Sequence, residues 1–73
     1  MSQTELDCKG MKCPMPIVNI SKTMRTMSTG DILVVEASDP AFEADLRAWA
    51  KRFGHEIRSF EPGSEQRATI VKS

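Results

Sequence analysis

Ile32-Leu33-Val34-Val35, with Ser38-Asp39-Pro40 close behind it, decides the fold. The first run is continuous and largely β-branched, the pattern of a strand covered on both faces or nearly so. The second is a helix start, with Asp39 as the N-cap and Pro40 in the first helical position, where its missing N–H costs nothing. A strand that passes directly into a helix is the repeating step of an α/β layer.

Working outward, Phe42, Leu46, Trp49 and Phe53 follow at spacings of four, three and four, one apolar face of a helix that Gly54 stops. Glu43 and Arg47 are spaced to pair on its solvent side. Two further strands, His55 to Glu61 and Gln66 to Lys72, are joined through the turn signal Pro62-Gly63-Ser64. Ile57 and Phe60 differ in parity, so the third strand needs a bulge or strong twist to turn both inward. Upstream, Ile17, Ile20, Met24 and Met27 give a first helix from Pro14 to about Met27. Asn19, Lys22, Thr23 and Arg25 lie largely outside its apolar face, and Gly30 is its C-cap glycine. Thr4 to Cys8 forms a first strand, and Lys9-Gly10-Met11-Lys12 the loop behind it. The order β-α-β-α-β-β predicts a two-layer α/β (α+β) sandwich with two helices packed on one face of a four-stranded mixed sheet, a single domain over residues 1–73.

The chain has 73 residues, ten basic and ten acidic, and no net charge. That balance argues against a nucleic-acid face built on bulk charge. The polar start Met1-Ser2-Gln3-Thr4-Glu5 is no signal peptide, and no apolar run approaches a membrane span, so the expectation is a cytoplasmic protein that contacts neither membrane nor nucleic acid directly. Two cysteines, Cys8 and Cys13, are too few for a disulfide scaffold and do not form Cys-x-x-Cys. With His55 alone and far along the chain, a zinc site is not expected, nor any cofactor.

The chemistry lies in Cys13-Pro14-Met15-Pro16. Pro14 suits the first helical position, which places Cys13 at the N-cap, where unpaired N–H groups and the helix dipole favour an anion. A cysteine with its ordinary pKa near 8.5 is only about 3% thiolate at pH 7, so such placement makes it far more nucleophilic. Pro16 has no N–H, leaving the amides of Met15 and Ile17 as the expected first-turn donors. Lys9 and Lys12 add positive charge nearby. Met15, held between two prolines, is expected to stay exposed as a docking contact. Cys8 reads either as a small residue closing a strand or as a second thiol.

With that order of elements, the chain resembles the TusA/SirA family of small sulfur-carrier proteins over almost its whole length. The resemblance is carried by Leu6-Asp7, Lys9-Gly10 and Cys13-Pro14-Met15-Pro16, then by Lys22, Gly30, Asp39-Pro40, Asp45 and Gly54. Cys8 stands where the family often has a small residue such as Ala. The resemblance implies a fold like the C-terminal domain of translation initiation factor 3. It also implies a persulfide on Cys13, with Pro14, Pro16, Lys9, Lys12 and Gly10 in support. The implied activity is sulfur transfer by a stoichiometric carrier. Its implied partners are a donor (a cysteine desulfurase or rhodanese) and a DsrE-type or other acceptor, in tRNA thiolation, sulfur oxidation or cofactor assembly, with the carrier a monomer. Two rival readings remain: a thiol-disulfide redox or regulatory protein using Cys8 with Cys13, and a non-catalytic binding module.

Overall fold

A computed structural model describes residues 3–12 and 15–73. It has strands β1 (Gln3–Cys8), β2 (Ile32–Ala37), β3 (Glu56–Glu61) and β4 (Gln66–Val71), and helices α1 (Met15–Arg25) and α2 (Phe42–Phe53), in the order β1-α1-β2-α2-β3-β4. The sheet order is β1-β2-β4-β3, with β1 parallel to β2 and the other two pairs antiparallel. The expected α+β architecture with a mixed four-stranded sheet is the observed one.

Side-chain alternation builds the core. Leu33, Val35 and Ala37 of β2, Ala68 and Ile70 of β4, and Cys8 of β1 are all fully buried against Ile20, Met24, Phe42, Leu46 and Trp49 of the two helices. The register shifts between Ile57 and Ser59, and this bulge lets Ile57 and Phe60 both pack on the core despite their opposite parity. Glu43 and Arg47 form the expected i,i+4 pair, 3.0 Å apart.

Four expectations need correction. β2 lies under helices on one face only. Val34, on the other face, is buried because its register neighbours Glu5 and Thr69 crowd it from both sides of a central strand. Gly30 is no C-cap. α1 ends at Arg25 and passes into tighter turns, Thr26 N–H to Thr23 C=O and Met27 N–H to Met24 C=O, while Gly30, at φ 91°, pairs its N–H with the Lys72 carbonyl. The helix-end carbonyls of Met24 and Met27 are instead met at 2.5 Å by the Lys72 ammonium, a partner some 45 residues away in sequence. α2 begins at Phe42, because Asp39 and Pro40 form a turn: Asp39 Oδ1 accepts from Ala41 N–H, and Phe42 N–H donates to the Asp39 carbonyl. Finally, Phe53 is 58% exposed. It sits in the last helical turn and packs sideways on Trp49, ring centroids 6.2 Å apart, with the Arg52 guanidinium over its other side.

His55, expected to start the third strand, lies just before β3, with its ring stacked on that of Trp49 at 4.9 Å and its Nδ1 accepting a hydrogen bond from the Ser73 N–H. Burial, and then the Lys72 charge, hold its pKa below the ordinary histidine value. The folded state therefore favours neutral imidazole, and the unfolded chain takes up the proton first as pH falls. The resulting stability is complete above about pH 6.5 and is lost as pH drops through the lower folded value. Urea midpoints measured across that window should decline toward acid, and His55→Gln should flatten the decline. An unchanged slope in the variant would assign the decline to carboxylates.

Candidate functional site

The loop that leads to Cys13 leaves the end of β1 as a tight turn. Met11 N–H donates to the Cys8 carbonyl at 3.1 Å, and Gly10, two residues into that turn, has φ 82°. This is the value that the third residue of a type II turn requires, and L side chains disfavour it, so the glycine is there for its backbone. The other two amides are also committed. Lys9 N–H donates to Asp7 Oδ1 at 2.9 Å, and Gly10 N–H donates to Ser38 Oγ at 2.9 Å. The Met11 thioether is held by Asn19 Nδ2 at 3.1 Å.

Cys13 and Pro14 fall outside the described residues, and so do the N-cap and first-position readings made of them. Met15 N–H, expected to face an anion at the helix start, instead donates to the Lys12 carbonyl at 2.9 Å. Lys12 is exposed. Lys9 is exposed as well, and its ammonium lies 4.0 Å from Glu36 Oε1, so part of its charge is answered on the sheet side. Pro16 is buried and anchors the helix start, while Met15 is 47% exposed and Val18, one turn on, is 36% exposed. The helix therefore enters the core on one side and presents two apolar side chains to solvent on the other.

Across from this loop stands the β2–α2 turn, brought alongside by the parallel pairing of β1 with β2, in which Cys8 is the register partner of Ala37. A groove of about 410 Å³ runs between them, lined by Gly10, Met11 and Lys12 on one side and Ser38, Asp39, Pro40 and Ala41 on the other. The far wall is braced from below, where buried Gln66 donates through Nε2 to the Asp39 carbonyl at 2.7 Å. The sequence assigned Ser38, Asn19 and Gln66 no role at the site. Their partners lie 28, 8 and 27 residues away, and no local pattern joins such pairs.

Cys8 is wholly buried in the core. Burial, and then the Asp7 carboxylate, push its thiol pKa above the ordinary value. A neutral thiol closed off from solvent is a poor nucleophile and a poor disulfide partner. Among the described residues no cluster of His, Cys, Asp or Glu is arranged to hold a metal ion, and no helix is long and apolar enough to cross a membrane.

Residues 4–72 match the family model described as sulfurtransferase TusA. The chain is 43% identical over 70 residues to the sulfur carrier protein TusA of Allochromatium vinosum, covering 94% of this chain and 92% of that one. It is 46% identical over 56 residues to YrkI of Bacillus subtilis, covering 77% and 75%. It is also 47% identical over 60 residues to YrkF of the same organism, covering 82% of this chain but spanning only 32% of YrkF.

Proposed function

The chain belongs to the TusA family, and from that premise we propose that it is a sulfur carrier whose persulfide forms on Cys13. Cys13 thiolate attacks the terminal sulfur of a donor protein's persulfide. The donor S–S bond breaks, its electron pair leaves as the donor thiolate, and Cys13–S–SH is formed. An acceptor cysteine thiolate then attacks the outer sulfur and Cys13 departs as thiolate, so the sulfane sulfur moves twice with no net oxidation. The donor is a cysteine desulfurase or a rhodanese. The acceptor is a DsrE-type protein or a component of tRNA thiolation, sulfur oxidation or cofactor assembly, each of which needs the same reachable persulfide.

The observation that supports this reading most is the family match over residues 4–72. In the sequence Cys13 lies between a loop whose Lys9, Gly10 and Met11 amides are paired and a helix start that exposes Met15 and Val18. No histidine or carboxylate of the chain is placed beside it by sequence, which fits a carrier whose partner completes the reacting centre. Incubation with a persulfide donor should add the mass of one sulfur atom, removable by a reductant, and a cysteine-bearing acceptor should take that sulfur away. A chain that gains no sulfur overturns the proposal.

Met15 is proposed as a docking contact, since a half-exposed, polarisable side chain beside a transferable sulfur suits a small transient interface. Met15→Glu should leave unfolding and Cys13 alkylation nearly unchanged while slowing transfer with at least one partner. If transfer to and from every partner is unaffected, the docking surface lies elsewhere, with the Lys9–Lys12 loop the next candidate.

A further inference from the structure

We propose that Ser38 is a positioning residue for the Cys13 loop, acting through the Gly10 peptide; this rests on the carrier reading of Cys13. In a turn closed by Met11 N–H to Cys8 C=O, the central peptide joins Lys9 to Gly10, and its N–H is that of Gly10. Type I and type II turns differ by a flip of that central peptide. The Gly10 φ of 82° belongs to the second form, and Ser38 Oγ accepts the Gly10 N–H at 2.9 Å, which holds the peptide in that orientation. Without the hydroxyl that peptide is free to flip, and the loop loses its tie to the β2–α2 turn at Gly10, three residues before Cys13.

Ser38 is suited to this because its own backbone is fixed. It follows the last residue of β2, directly after Ala37, which is buried and in register with Cys8. It precedes the Asp39 turn, which is braced by Gln66 Nε2 on the Asp39 carbonyl and by Ala41 N–H on Asp39 Oδ1. The opposite end of the loop is held by Asn19 on the Met11 sulfur. Gly10 itself has open space where a Cβ would stand, so no packing contact there would select the orientation in place of the hydrogen bond. The Ser38 hydroxyl thus ties the loop across the groove, beside the bonds that Met11 makes to Cys8 and Asn19.

Ser38 is exposed, so replacing it leaves the core intact. Ser38→Ala should raise exchange of the Gly10 amide about fivefold, the population change that one neutral hydrogen bond supports. It should slow persulfide transfer by a similar factor and shift the pH midpoint of Cys13 alkylation, while global unfolding moves little. Ser38→Thr, which keeps the acceptor, should restore all three. Wild-type exchange, transfer and midpoint in Ser38→Ala would overturn the proposal, as would failure of Ser38→Thr to restore them. Failure of the carrier reading is separate: the wild-type chain then takes no sulfur, while Gly10 exchange and the alkylation midpoint still report on Ser38.

Discussion

Cys13→Ser should abolish sulfur loading completely, and Cys8→Ala should leave it at one sulfur per chain. The first outcome follows from nucleophilicity. A serine hydroxyl is not ionised near neutral pH and cannot form a persulfide, so no residual transfer is expected. The second follows from burial. Cys8 is fully enclosed between the sheet and the helices, and its thiol is pushed toward the neutral form by that burial and by Asp7. Alanine is the right replacement at position 8, because serine would place a hydroxyl in an apolar site at a cost of about 1–3 kcal/mol and confuse instability with lost chemistry. Intact mass before and after reductant reads both variants. The rival redox mechanism, which needs both sulfurs, makes the opposite forecast: Cys8→Ala would be inactive, and the oxidised wild type would lose two hydrogens in mass. Sulfur retained by Cys13→Ser would overturn the assignment outright.

Those two cysteines illustrate what the sequence revealed and what it withheld. The 3.6-residue period of the apolar residues placed both helices, while the continuous β-branched run of β2 and the turn signal between β3 and β4 marked strands. The parity of Ile57 and Phe60 called for a bulge or strong twist in β3, and the structure has the bulge. Element ends were less legible. Pro40 looked like a first helical residue, yet Asp39 turns the chain first and the helix waits until Phe42. Gly30 looked like a C-cap, but its N–H is used by Lys72 across the sheet. In both cases a partner remote in sequence, or a competing local turn, outweighed the local preference. The same holds at the site. The exposure of Met15 was readable from its two flanking prolines, whereas Ser38, Asn19 and Gln66 act through contacts that exist only after β1 and β2 have paired and the two loops have met.

Phe42→Ala should remove a large part of the stability of the fold, while Phe53→Ala should cost less than about 0.5 kcal/mol. By sequence these residues are equivalent, the first and last of one apolar stripe. In the structure Phe42 is 1% exposed and stacks on Phe60 with ring centroids 6.2 Å apart, while Phe53 lies mostly in solvent. Truncating a buried phenylalanine costs about 3–5 kcal/mol, the lost transfer energy plus that of the cavity left behind. A domain of this length has only about 4–11 kcal/mol in all, at 0.05–0.15 kcal/mol per residue. Urea midpoints should therefore collapse for Phe42→Ala and barely move for Phe53→Ala, and equal losses would mean that the burial pattern of α2 is wrong. The consequence reaches the site, because Phe42 is the first residue of α2 and its N–H donates to the Asp39 carbonyl, the same oxygen that Gln66 holds. Phe42→Leu, which refills part of the cavity, should recover much of the stability. If the Asp39 turn braces Ser38, it should also recover the slow Gly10 exchange that Phe42→Ala loses. A Phe42→Leu chain that is stable yet keeps fast Gly10 exchange would show that the Cys13 loop is held by the aromatic ring packing itself.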